Sequence, residues 1–166
     1  MYHKLQEFLD DWDYESKATL KIFNAMNNES LNQKVYEDGR TLGYLAWHIT
    51  ISVGEMMNRT GLKVKMPDEN SDYPVNVSEI VATYENVCKS LVGEIKNNWN
   101  DNALLVEDEM YGEKWKRGST LGILITHQVH HRAQMTVLLR QAGLKVPGIY
   151  GPSKEEWSNI GMEAPK

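Results

Sequence analysis

Histidines fall on two amphipathic segments of this chain, and both must be accommodated by whatever fold it adopts. His127 and His131 are four residues apart in the stripe Leu124, His127, His131, Gln134, Leu138. On a helix that stripe is one face, so both imidazoles project into the same space, beside leucines and toward an interior. His48 shares its face with Tyr44, Leu45, Ile51 and Glu55 in an earlier segment, with Trp47 on an adjacent face. A buried imidazole without a partner costs roughly 1–3 kcal/mol. Two such faces packed together would need a compensating arrangement, and a shared divalent metal with open positions is the obvious one.

Four long segments with helical periodicity frame these residues. The first runs from about Tyr2 to Asn28 and carries Leu5, Phe8, Leu9, Trp12, Thr19, Phe23 and Met26. Thr41 is the expected N-cap of the second and Gly61 its stop. Residues 62–77 hold two prolines and many polar side chains, and read as a surface loop. Ser78 is the expected N-cap of the third segment, which continues to Trp99. The fourth runs from Ser119 or Thr120 to Gln141, with Gly143 beyond it. The intervening stretch to Gly118 is long for a structureless loop, and a short hairpin is placed at Tyr111-Gly112. A proline- and glycine-rich turn leads to a short C-terminal helix capped by Ser153. The expected fold is all-α: one four-helix bundle domain over residues 1–166, with that short helix appended.

Other features narrow the function. A net charge of -5, with no run of Lys or Arg, argues against nucleic-acid binding. No stretch approaches the ~20 apolar residues of a membrane span. The N-terminus lacks the apolar core of a signal peptide. With one cysteine and no leader, the expected location is cytoplasmic. Cys88 sits on the apolar face of the third segment and reads as a small core residue rather than a nucleophile. Gln128 occupies the position of the general-base glutamate in HExxH, which removes the peptidase mechanism of that class. His130 is turned about 100° from His131 on an ideal helix, so it is read as a bystander, or at most as a residue behind the ligands. Spacing alone leaves open whether His48, His127 and His131 bind metal or are satisfied core residues.

The stretch THQVHHRAQMTVLLRQAGLKVPGIYG resembles the signature of the DinB/YfiT-like family of four-helix bundle proteins. LAWHIT carries the family's first histidine as His48. The HxxxHR-x-Q motif falls on His127, His131, Arg132 and Gln134, and the proline–tyrosine turn on Pro147 and Tyr150. Ala133 departs from the pattern, where glycine is frequent, and concerns helix packing more than ligation. The resemblance implies a divalent metal, zinc or nickel, held by His48, His127 and His131 with water in the open positions. It also implies a homodimer, and a metal-dependent enzyme acting on a small molecule.

Three neutral imidazoles would leave the metal's charge uncompensated, favouring either a thiolate or an acidified water. The leading expectation is transfer of a low-molecular-weight thiol to an electrophile. A metal-dependent hydrolase and a non-catalytic, stress-associated metal-binding module are the alternatives. Glu55 and Gln134 are candidates to orient ligands. Arg132 is a candidate for a substrate anion or for a structural ion pair. Tyr150 either lines the substrate mouth or pins the tail to the bundle, and Trp115 and Trp157 belong to a dimer interface or a pocket rim.

Overall fold

In the computed structural model, which describes residues 1–165, the four segments form helices α1 (Leu5–Asn24), α2 (Leu42–Asn58), α3 (Val77–Asn98) and α4 (Arg117–Gln141). A two-stranded antiparallel hairpin, β1 (Glu107–Met110) and β2 (Glu113–Lys116), precedes α4. Single 3-10 turns occupy Glu29–Asn32, Asp101–Leu105 and Trp157–Ile160. Each of α1 and α2 packs against both α3 and α4, and the most extensive pairing is α2 with α4. Among the described residues, no helix is long and apolar enough to cross a membrane.

Local signals act where the residues place them. Thr41 Oγ1 accepts from the Tyr44 amide at 3.1 Å and fixes the start of α2. Gly143 adopts φ +75, and Leu144 N–H closes back on the Leu139 carbonyl at 2.9 Å, a C-terminal motif that ends α4. The hairpin turns at Tyr111 and Gly112, both with positive φ, the geometry that matches the twist of paired strands.

Several boundaries differ from the sequence reading. α1 starts at Leu5, where the Asp101 carboxylate accepts from its amide at 2.8 Å. α3 begins at Val77 with Asn76 before it, and α4 begins at Arg117 directly from the hairpin. The C-terminal element is one 3-10 turn starting at Trp157, and Ser153 does not cap it. There, the Glu156 carboxylate accepts instead from the amides of Gly148 and Ser153, folding the tail on itself.

The segment after α2 is a surface loop that packs along that helix as a strap. α2 is buried on almost every side, from Leu42 to Met57, which a helix on a bundle's rim would not be. Residues 62–76 cover its outer face. A Cβ on Gly43 would lie 2.6 Å from the Tyr73 ring, and one on Gly54 would lie 2.4 Å from Met66 Sδ. Trp47 Nε1 donates to the Ser71 carbonyl at 3.0 Å, and the strap's own Leu62 and Val64 are buried. Cys88 lies in the core, where burial pushes its thiol up to about 12 and keeps it protonated.

A second buried polar cluster ties α1, α4 and the tail together. Arg132 is 2% exposed and forms an ion pair with Glu15, itself 8% exposed. The guanidinium also donates to the Glu15 carbonyl at 3.0 Å and Thr19 Oγ1 at 3.2 Å. Tyr150 donates to the same carboxylate at 2.9 Å and stacks on Tyr14. Glu15→Ala would strand the Arg132 charge in the interior. We expect a loss of about 3–5 kcal/mol in urea unfolding, with at least half recovered in the Glu15→Leu/Arg132→Met pair.

Candidate metal centre

The contact between α2 and α4 places His48 against His127 and His131. Their ring centroids lie 4.9, 4.6 and 4.5 Å apart for the 48–127, 48–131 and 127–131 pairs. One ring nitrogen from each lies within 4.8 Å of the others. His131 is buried, while His48 and His127 are half-buried, so the cluster sits at the rim of the core.

Hydrogen bonds orient two of the three rings. His131 Nδ1 lies 2.9 Å from Gln134 Oε1, whose amide nitrogen in turn approaches His130 Nε2 at 3.1 Å. The consistent assignment is that His131 Nδ1–H donates to Gln134 Oε1, which leaves Nε2 with its lone pair free. Ser52 Oγ commits its proton to the Ile49 carbonyl at 3.0 Å. It is therefore available to accept from His127 Nδ1, 3.4 Å away. That again frees Nε2 for the centre of the cluster.

His48 Nε2 and His127 Nε2 then stand 3.1 Å apart. Two lone pairs at that distance repel unless a proton or a cation sits between them. Metal–nitrogen bonds of about 2.1 Å place neighbouring ligand nitrogens roughly 3.0–3.4 Å apart in octahedral or tetrahedral shells. The donor set is therefore compatible with a divalent metal ion.

The electrostatics agree with neutral ligands. Burial first, then the neighbouring His131 and Arg40, push His48 from its ordinary 6.5 down to about 4. His127 is also held at about 4, by burial and by the other histidines. His131 is lowered chiefly by burial, partly offset by its bond to Gln134. The imidazoles thus reach neutral pH unprotonated, the form that ligates metal.

The remaining sequence candidates separate. Gln134 touches His131 and acts as an orienting residue. Glu55 makes no bond to a histidine: it pairs with Arg59 at 2.7 Å and accepts from the Tyr111 hydroxyl, although its charge opposes the lowering of His48 and His127. Arg132 and Tyr150 point into the Glu15 cluster on another side of α4, so they serve the structural alternative. Trp115 packs at a tilt against Tyr111 at the hairpin, with ring centroids 5.7 Å apart, and is not at the histidines. Gln128 is fully buried, donating to the Ile49 carbonyl and accepting from the Tyr84 hydroxyl. It is consumed by packing.

Two features had escaped the sequence reading. Ser52 stands one turn after His48, a spacing that points to its role. The strap, in contrast, carries no such signal, yet it walls a groove of about 300 Å³ with Tyr44, Trp47, Ile51 and His48 itself. That groove is of a size for a small molecule.

Comparison with known proteins gives a family and a fold. The model of the DinB family matches residues 1–164. An uncharacterized protein of Bacillus subtilis, YrdA, is 42% identical over 100% of this chain and 99% of its own length. A DinB-like protein from Bacillus cereus has a crystal structure that superposes with a TM-score of 0.87 at 37% identity, covering 90% of this chain and 100% of its own. A second DinB-like structure, YjoA of Bacillus subtilis, shares the fold at 16% identity and a TM-score of 0.69, over 89% of this chain and 99% of its own.

Elemental mass spectrometry of protein purified without a chelating resin tests the cluster. His48→Ala, His127→Ala and His131→Ala should each lose bound metal, His130→Ala should keep it, and Gln134→Ala should weaken affinity about 10- to 100-fold. The metal-free protein carries a pH signature too. Folding holds His48 and His127 at about 4, below their unfolded 6.5, so the unfolded chain binds more protons between those values. Metal-free protein should therefore lose thermal stability as pH falls through that window, and His127→Gln should flatten the dependence.

Proposed function

The chain belongs to the DinB family, and from that premise we propose that it is a metal-dependent enzyme that transfers a small thiol to an electrophile. One observation carries the reading: three imidazoles converge at the rim of the core, and one of them, His48, lines a groove sized for a small molecule. A fully enclosed cluster would suit a structural ion, whereas half-buried ligands leave room for an exchangeable partner.

In this reading His48, His127 and His131 hold zinc or nickel through Nε2, with Gln134 and Ser52 fixing the rings of His131 and His127. The ion, when bound, supplies Lewis-acid chemistry that lowers the pKa of a thiol, ordinarily near 8.5, toward the physiological range. Tyr44, Trp47 and Ile51 form the walls that seat the substrate and thin the water around it. Neutral ligands matter because they leave the positive charge available to an anionic sulfur. The acidic balance of the chain fits a small-molecule substrate rather than nucleic acid. A cytoplasmic setting, where low-molecular-weight thiols stay reduced, belongs to the same reading.

A fluorogenic chlorobimane offered together with cellular thiols tests the proposal. Turnover should require both the metal and the thiol, and His127→Ala should reduce it to the uncatalysed rate. No turnover across a panel of thiols and electrophiles by metal-loaded protein would count decisively against it. Cleavage of an ester or lactone without thiol would point to the hydrolase instead.

A further inference from the structure

Arg40 is a cation without a counter-charge beside the histidine cluster. It lies immediately before the Thr41 cap of α2, on the exposed connection from α1. Among the described residues the other ion-paired arginines (Arg59, Arg117, Arg132 and Arg140) each have a carboxylate, and Arg40 has none. Glu37 and Asp38, its acidic neighbours in sequence, make no ion pair with it.

Two separate contacts tie it to the centre. The Arg40 guanidinium carbon lies 5.1 Å from the centroid of the Tyr44 ring, which stacks on His48 at 6.0 Å with 7° between the planes. Arg40 also lines a cavity of about 230 Å³ with Tyr36, Leu45, Leu138 and Gln134, the residue that holds His131. Arg40 and Gln134, which orients one ligand, thus share a cavity whose other walls are largely apolar, next to the histidines although none of them lines it. In keeping with that proximity, the Arg40 charge contributes to lowering both His48 and His131.

We propose that Arg40 is a substrate-binding residue, and that the thiol substrate carries a carboxylate which Arg40 receives while its sulfur faces the three histidines. This rests on the thiol-transfer reading and names the substrate class. An ion held by neutral ligands beside an unpaired guanidinium concentrates positive charge at one mouth. A dianion, thiolate at one end and carboxylate at the other, complements both ends at once. The guanidinium fork suits a planar carboxylate. Its Tyr44 platform presets the orientation that a flexible side chain would otherwise lose entropy to adopt.

The test uses cobalt-loaded protein and the near-ultraviolet charge-transfer band that a bound thiolate produces. Mercaptohexanoate and mercaptohexanol differ only in the terminal group. The acid should bind about five- to tenfold more tightly. Arg40→Ala should erase that preference at unchanged cobalt content, and Arg40→Lys should restore part of it. Equal affinities in the parent protein, or a preference that survives Arg40→Ala, would overturn the inference while leaving thiol binding intact. Failure of the thiol reading looks different: neither thiol produces the band. Hexanoate, which needs no sulfur, then decides the anion site alone. Binding that disappears in Arg40→Ala supports it, and absence of binding overturns it.

Discussion

The packing of α2 against α4 is the contact on which the rest of this molecule depends. It is the broadest helix interface in the bundle, and it brings three imidazoles together at its rim. Imidazoles removed from water need partners, and here each is provided for differently. Gln134 takes the outer nitrogen of His131, and Ser52 is set to take that of His127. The inner nitrogens of His48 and His127 face each other at 3.1 Å, a distance that a shared proton or a cation would satisfy. Three ring nitrogens thus converge in one spot, where a proton or a divalent cation can be shared between them.

α4 is the hub that makes this possible, and it does so by being polar on several faces at once. His127 and His131 address α2, Arg132 addresses Glu15 and Thr19 of α1, and Gln128 reaches Tyr84 of α3. Each of these side chains is satisfied by a different neighbour, so one helix fixes the position of the other three. The Arg132 cluster and the histidine cluster occupy different sides of α4. The first fastens the tail through Tyr150 and the second opens to a groove, which separates stability from chemistry within a single motif.

Coverage of α2 explains why the centre is pocketed rather than flat. The strap buries the outer face of α2 through Tyr73 and Met66, with Ser71 accepting from Trp47, and its close approach depends on the missing side chains of Gly43 and Gly54. The space left between the strap and His48 is the groove. On the other side, the exposed connection ahead of α2 brings Arg40 over Tyr44. Loops positioned by a rigid bundle therefore supply the surroundings of the site, while helices supply its ligands.

The sequence by itself determined the four helices, the cap at Thr41, the stops at Gly61 and Gly143, and the hairpin at Tyr111-Gly112. It also singled out the three histidines, because helical periodicity and φ-specific residues act locally. Family resemblance narrowed the same three residues to a shared centre. Only the tertiary structure decided that residues 62–76 lie on α2, that Arg132 and Tyr150 belong to Glu15, and that Arg40 stands free beside the cluster. Those outcomes turn on which surfaces meet across tens of residues, and a polar, proline-containing segment reads the same whether it meets water or a neighbouring helix. An arginine likewise has the same letter whether a carboxylate reaches it or not.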